Sequence, residues 1–147
     1  MLCHDAVAGM NSELRGTPSK GPIKARLIKL LFHKQLTRGM TLIEFQSRCV
    51  RRTEVHELVT TDQLDARPGD RIDRVGFIGF VEVLEAGVLE AGDAFYIDGR
   101  CIGHVLGFDE CHFPNHYNIL IGTDRSLSGN DIEGCVLGND VEFKELI

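Results

Sequence analysis

Short runs of apolar residues, separated by turn residues, dominate the chain from Arg71 onward. The turns are marked by Gly92-Asp93, Asp98-Gly99 and the polar clusters at 128–131 and 138–140. This spacing is typical of all-β sandwiches and barrels, in which short strands alternate with tight turns. The pattern predicts strands over residues 77–83, 94–97, 101–106, 117–121 and 141–143.

Two local signals refine this pattern. Asp98-Gly99 predicts a hairpin, because the two-residue primed turn needs positive φ angles and glycine adopts them without strain. The pentapeptide Val-Leu-Glu-Ala-Gly occurs twice in tandem over residues 83–92. Five residues are too short for a repeat architecture, so we interpret this stretch as the exit of one strand and a loop.

The first half of the chain also predicts strands. Residues 41–49 alternate between apolar and polar side chains, and this alternation favours a strand over a helix for residues 23–36 as well. Thr37-Arg38-Gly39 lies between the two runs, so we expect a hairpin there. Residues 54–60 predict a further strand with Val55 and Val59 on one face, and 62–70 an exposed connection that ends in a turn.

The length of the chain fits a single domain. A chain of 147 residues can bury about two thirds of its unfolded surface without a metal or disulfide. Residues 1–22 contain several Gly and Pro residues and no apolar periodicity, which is typical of a disordered tail. We therefore expect an all-β fold: a small single-domain barrel or barrel-like sandwich over residues 23–147, with a flexible N-terminal tail over residues 1–22.

Charge is distributed unevenly. Residues 1–52 contain ten Lys or Arg against three Asp or Glu, and residues 53–147 contain six against nineteen. The basic segment 20–52 is therefore expected to pack against the acidic remainder, within the fold or across a subunit boundary. The alternative is that it binds nucleic acid or another polyanion. The net charge of −6 favours the first interpretation, so no nucleic acid partner is predicted.

Composition also bears on location. No apolar run reaches the roughly 20 residues of a membrane helix, and the N-terminal residues do not resemble a secretory signal. Five cysteines without a paired spacing predict reduced thiols rather than a disulfide framework. We therefore expect a cytoplasmic protein with no membrane partner.

The densest group of chemically active side chains lies within residues 104–118. Imidazole, thiol and carboxylate groups bind metals or transfer protons near neutral pH, and the turn around Pro114-Asn115 could bring them together. The candidate ligand-binding residues are His104, Asp109, Glu110, Cys111, His112, Asn115 and His116. His56, which lies between acidic neighbours, is interpreted as a half-exposed strand residue.

Three hypotheses are open for this cluster. His112 and His116, with His104 or Cys111, could bind Zn²⁺ or another divalent ion. Alternatively, His112 or His116 could transfer protons in a pocket at the mouth of a barrel, oriented by Asp109 or Glu110. In the third hypothesis these side chains satisfy the hydrogen bonds of a loop and are purely structural. No metal, cofactor or catalytic residue is assigned from the sequence.

Several motifs resemble known families. Gly79-Phe80-Val81-Glu82 followed by Gly92-Asp93 resembles the small barrel domain that follows the GTPase domain in translation factors. The same stretch, extended toward Val141, resembles the glucitol/sorbitol-specific IIA component of the bacterial phosphotransferase system. That resemblance implies a small barrel, but the segment around Phe80 lacks the histidine that would carry phosphate. The chain as a whole, especially over residues 48–52, 55–59 and 107–118, is similar to an uncharacterised bacterial family.

The function expected from these observations is that of a small-ligand or protein-binding module. A metal- or histidine-dependent enzyme of unknown substrate is one alternative. A degenerate phosphotransferase IIA-like component is another. Because an incompletely closed sheet would leave unpaired strand edges, we also expect a homo-oligomer.

Overall fold

The computed structural model describes residues 17–146, and within them every regular element is a β-strand. Some of the turns that separate the strands, such as Asp98-Gly99 between β9 and β10, are those that the glycine and aspartate positions indicate. The twelve strands are β1 (Ile23–Leu30), β2 (Lys34–Gln35), β3 (Met40–Thr41), β4 (Ser47–Val50), β5 (Val55–Thr61), β6 (Arg71–Ile72), β7 (Val75–Glu85), β8 (Gly87–Glu90), β9 (Ala94–Ile97), β10 (Arg100–Asp109), β11 (Asn118–Gly122) and β12 (Asp140–Lys144).

Seven of these strands pair edge to edge in a closed ring. The order is β1, β12, β9, β10, β11, β5 and β7, and β7 pairs back with β1. The β11–β5 pair is parallel, and the other six pairs in the ring are antiparallel. The shorter strands lie outside the ring, where β3 pairs with β6 and β4 with β8. The predicted all-β barrel is confirmed.

Local turn chemistry accounts for the strands that were predicted best. Strand β9 has the bounds expected from the sequence, and the β9–β10 hairpin turns at Asp98 and Gly99, with φ angles of 51° and 76°. Positive φ at both central residues is the type I′ geometry that this dipeptide favours. Strands β10, β11 and β12 overlap their predicted ranges with small shifts at the ends.

Other expectations were wrong. The runs 23–36 and 41–49 do not form a hairpin: β1 pairs with β12 and β7, whereas β4 pairs with β8. The second copy of the repeated pentapeptide is only partly a loop, because its residues 88–90 belong to strand β8. Gly107 does not end β10, because a register shift between Val105 and Gly107 lets pairing continue to Asp109. Long-range pairing decided each of these elements, and it is not encoded in adjacent residues.

Buried apolar residues form two clusters, one inside the ring and one against its outer face. Strand β11 contributes to both, with Ile119 and Ile121 in the inner cluster and Leu120 in the outer cluster. The outer cluster includes Met40 from β3 and Ile72 from β6, so this small sheet covers β5, β7 and β11. Because β11 is buried on both faces, its residues 119–121 are all apolar rather than alternating.

The basic segment packs against the acidic remainder, as its charge predicts. Lys20 Nζ lies 2.6 Å from Asp93 Oδ2, and Arg26 Nη2 lies 2.9 Å from Glu82 Oε1. Further ion pairs of the same kind join Lys24 to Glu85, Lys34 to Asp131 and Arg48 to Glu54. Lys20 also donates to the carbonyl of Val88, which fixes the chain before Ile23. The remainder of the predicted tail, residues 1–16, lies outside the described residues.

The structure also bears on two further expectations, which concern the cysteines and membrane-spanning helices. Cys49, Cys111 and Cys135 are free thiols, but Cys101 is disulfide-bonded, so the expectation of reduced thiols was wrong for that residue. Along residues 17–146, the structure has no helix that is long and apolar enough to cross a membrane.

Close approach of two strands requires glycine at position 103. A Cβ atom at Gly103 would lie 2.1 Å from the carbonyl oxygen of Gly122 on β11, and a backbone atom cannot move aside alone. We predict that Gly103→Ala lowers the free energy of unfolding by about 1–3 kcal/mol, as overpacking typically does. Chemical denaturation measures this change. Gly21→Ala is the matched control, because its Cβ would meet nothing within 4 Å; equal destabilisation by both variants would contradict this account.

Candidate functional site

Four side chains form a row across the outer face of the barrel. Phe80 on β7 is in register with Glu57 on β5, Glu57 with Asn118 on β11, and Asn118 with Asp109 on β10. Their chain neighbours Val81, Leu58, Ile119 and Phe108 all belong to the inner core cluster. Since successive strand residues point to opposite faces, the row points outward.

The loop that joins β10 to β11 folds back over this row. Residues 111–115 of this loop form consecutive turns, with hydrogen bonds from Phe113 N to Glu110 O and from Asn115 N to His112 O, and the Phe113–Pro114 peptide bond is cis. Both strands that flank the loop belong to the row, through Asp109 and Asn118. The loop therefore places its own side chains above Glu57, Asn118 and Asp109.

His116 is the buried centre of the cluster. Its Nε2 atom lies 3.1 Å from Glu57 Oε1, and its Nδ1 atom lies 2.6 Å from Asn115 Oδ1. The edge of its ring meets the ring of Phe80 at a centroid distance of 5.0 Å. Contacts on both ring nitrogens and on the ring edge fix the orientation of this imidazole.

His112 lies at the surface beside His116. The two imidazoles stack with centroids 5.0 Å apart, and one potential ligand atom from each of Glu57, His112 and His116 lies within 4.8 Å of the others. Two imidazoles and one carboxylate are a donor set that divalent transition metals accept. The cluster formed by Glu57, His112 and His116 is called the His-Glu cluster below.

Asp109 connects the loop to the barrel. Its carboxylate accepts hydrogen bonds from Thr41 N at 2.9 Å, Cys111 N at 3.0 Å and Asn118 Nδ2 at 2.9 Å. Burial by itself raises the pKa of a carboxyl group, but here the hydrogen bonds from Cys111, Thr41 and Asn118 outweigh it, and the pKa of Asp109 falls below its ordinary value. Asp109 is therefore ionised at neutral pH and stabilises the start of the loop.

Cys111 lies between the carboxylate of Asp109 and the guanidinium of Arg38. Its Sγ atom accepts hydrogen bonds from Arg38 Nη2 at 3.4 Å and Asn118 Nδ2 at 3.3 Å. Burial raises the pKa of the Cys111 thiol, the hydrogen bond and charge of Asp109 raise it further, and Arg38 opposes them without reversing the shift. The thiol therefore stays protonated at neutral pH, which is the form that neither attacks as a nucleophile nor binds a metal.

His56 belongs to a separate group on the opposite face of β5, and it is buried, not half-exposed as expected. Its Nδ1 atom accepts a hydrogen bond from Tyr117 N at 3.1 Å, so its Nε2–H donates to Glu54 Oε1 at 2.8 Å. Burial lowers the pKa of His56; the hydrogen bond to Glu54 opposes this shift and the positive charge of Arg48 adds to it. The neutral tautomer is thus fixed by its neighbours.

The structure brings most of the predicted candidates together. Asp109, Cys111, His112, Asn115 and His116 all take part in the contacts described above. His104 does not, because it pairs with Gly122 at the other end of the β10–β11 ladder from Asp109 and Asn118. Glu110 is exposed and faces a cavity on the other side of the loop, together with Arg48 and Tyr117.

Sequence reasoning missed Glu57 and Arg38. Glu57 lies 59 residues before His116, and only the parallel pairing of β5 with β11 makes them neighbours. Arg38 lies in the segment interpreted as a hairpin turn, and it reaches both Cys111 and His112, with Nη2 3.5 Å from His112 Nε2. An acidic residue at a buried strand position was the one available signal for Glu57, because such residues are rarely buried without a partner.

Comparison with family models shows the family to which the chain belongs. It belongs to a family described as a family of unknown function (DUF6917), whose model matches residues 17–144. Comparisons with curated proteins and with solved structures give no significant match.

The hydrogen bonds to Asp109 predict a pH-dependent contribution to stability. Asp109→Asn keeps the shape of the side chain but removes the charge, and we expect it to lower the free energy of unfolding by about 1–3 kcal/mol at neutral pH. The pKa of Asp109 is lowered in the folded state, so this contribution is present above the ordinary pKa and is lost as the pH falls through the folded-state pKa.

Chemical denaturation of both proteins from pH 7 downward measures this effect. The difference between the native protein and Asp109→Asn should shrink at acidic pH, as the native carboxylate also becomes protonated. Asp65→Asn, at an exposed position, is the control and should have little effect at any pH. A difference that stays constant down to the lowest pH would show that the charge of Asp109 is not responsible.

Proposed function

We propose that this member of a family of unknown function is a binding module for a divalent transition-metal ion, held by Glu57, His112 and His116. The observation that carries the proposal is the convergence of their three ligand atoms within 4.8 Å of one another. At metal bonds of 2.0–2.2 Å, adjacent ligands in a tetrahedral site are about 3.4 Å apart. The cluster needs only a small closure to reach that spacing.

The hydrogen bonds of His116 support this role. A metal-binding histidine usually donates its second ring N–H to an oxygen acceptor, which fixes the tautomer that leaves the first nitrogen free. In His116, Nδ1 faces Asn115 Oδ1 at 2.6 Å and Nε2 faces Glu57. Asn115 therefore acts as the outer support, and Nε2 with Glu57 Oε1 forms one edge of the proposed site.

The surroundings set the expected strength of binding. Glu57 and His116 are buried and already oriented, whereas His112 is exposed and must lose conformational freedom. The guanidinium of Arg38 lies beside His112 and opposes a second positive charge. Both features support a reversible site with an open position for solvent or a ligand rather than a closed structural zinc site.

Isothermal titration of metal-free protein with ZnCl2 tests the proposal. We predict one Zn²⁺ ion per chain, and at least about a tenfold loss of affinity in Glu57→Gln, His112→Asn and His116→Asn, since even outer-shell changes cost that much. Affinity should fall as the solution is made more acidic, because protons compete with the metal ion for its ligand atoms. The matched controls are His104→Asn and Glu110→Gln, which lie outside the cluster and should bind as the native protein does.

Two results would contradict the metal site. One is the absence of Zn²⁺ binding by natively folded protein, checked by circular dichroism. The other is an equal loss of affinity in His104→Asn and His116→Asn, which would place the ion elsewhere.

We further propose that the protein is bacterial and cytoplasmic, that it self-associates, and that it does not bind nucleic acid. The ion pairs of Lys20, Arg26 and Arg48 with acidic residues support the last point, because they engage cations that a polyanion would need. Closure of the ring removes the edge-strand argument for a homo-oligomer. Exposed apolar side chains such as Leu36 and Leu137 support it instead.

Sedimentation velocity tests the proposed assembly. We predict a species larger than one chain at micromolar concentration, and weaker association in a Leu36→Ser variant because the exposed apolar surface becomes smaller. A single monomeric boundary at all concentrations and salt conditions would refute self-association.

A further inference from the structure

We propose that the barrel has a second ligand site, independent of the His-Glu cluster, which binds a small monocarboxylate with an apolar body. The site is a cavity of about 280 Å³ between the segment that leads into β4 and the loop that joins β10 to β11. Ile43 N donates to Phe108 O at 2.9 Å, which anchors this segment to β10. The cavity is therefore bounded by two fixed parts of the backbone.

Arg48 is the charged group in this cavity. Its guanidinium lies over the ring of Tyr117, with Cζ 3.4 Å from the ring centroid. Its Nη2 atom contacts Glu54 Oε1 at 3.4 Å. These contacts hold the guanidinium in one plane without engaging all five of its N–H donors.

One of the remaining donors is buried and unused. Arg48 Nε is enclosed and has no hydrogen-bond acceptor among the side chains and backbone of residues 17–146. Buried donors are nearly always satisfied in folded proteins, so this enclosed donor gains an acceptor only when the wall of the cavity opens to admit one. Guanidinium and carboxylate groups match in shape and form paired hydrogen bonds, so a carboxylate is the acceptor that fits.

The other walls of the cavity favour an apolar body. Ile43, Phe45 and Tyr117 supply an aliphatic side chain and two aromatic rings, and Phe45 is 65% exposed, so its ring is free to close over a ligand. Beside the oriented guanidinium of Arg48, these apolar side chains fit a ligand that has both an anionic end and an apolar body.

Nearby charges favour a monoanion over a polyanion. Glu110 lies exposed at the rim, and Glu54 offsets part of the charge of Arg48. Inorganic phosphate, with up to two negative charges and no apolar part, is therefore expected to bind poorly.

Titration of ¹⁵N-labelled, metal-free native protein with benzoate, followed by NMR chemical shifts, tests the proposal. Benzoate should bind at millimolar concentration or better, with shifts concentrated at residues 43–49 and 108–117. Benzamide has the same shape without the charge, and it should bind at least tenfold more weakly, as should inorganic phosphate. Equal binding of benzoate and benzamide, or no binding of benzoate, would overturn the proposal.

Two variants complete the test. Arg48→Lys retains the positive charge but not the planar set of donors, and it should weaken benzoate binding at least tenfold. Glu110→Gln changes an exposed residue at the rim, and it should strengthen benzoate binding because a repelling charge is lost. Native-like benzoate affinity in Arg48→Lys, or weaker binding in Glu110→Gln, would contradict the assigned roles. Since all titrations are done without metal, failure of the zinc site would not affect them.

Discussion

The parallel pairing of β5 with β11 is the constraint on which the rest of the structure depends. It closes the ring of seven strands between two segments that are about sixty residues apart, and it buries β11 on both faces. The same register places Glu57 beside Asn118 and lets Glu57 N donate to the carbonyl of Tyr117. Without this pairing, neither the His-Glu cluster nor the cavity beside Arg48 would exist.

The loop over residues 110–117 links the two proposed sites, because alternate side chains serve different faces. His116 turns outward to Glu57, whereas its neighbour Tyr117 supports Arg48 and donates its backbone N–H to His56. Asp109 holds the beginning of this loop with three accepted hydrogen bonds. One short segment is therefore fixed at its base while its exposed residue His112 stays free to adjust.

Much of the fold could be predicted from the sequence, where local chemistry decides the outcome. The strand Ala94–Ile97 and the turn at Asp98-Gly99 depend on adjacent residues only, since positive φ at two successive positions favours one type of hairpin. The tandem pentapeptide was misjudged because residues 88–90 of its second copy form a strand only through pairing with β4. Gly107 was misjudged because a bulge allows a strand to pass through a glycine with positive φ.

The candidate site could be predicted in part for the same reason. Cys111, His112, Asn115 and His116 are close in sequence, and any compact loop brings them together. Glu57 and Arg38 come from other elements, so their positions depend on strand register, which a single sequence does not specify. His104 is close to the group in sequence but distant in space, since an extended strand of six residues from His104 to Asp109 separates its ends by about 16 Å.

The central claim is that Glu57, His112 and His116 converge to bind one metal ion. Diffraction from a crystal of the full chain grown with Zn²⁺, measured on both sides of the zinc absorption edge, tests it most directly. The account predicts a strong anomalous peak about 2.0–2.2 Å from a carboxylate oxygen of Glu57 and from one ring nitrogen of each histidine. A peak at other residues, or a natively folded chain with no peak at this cluster, would contradict it.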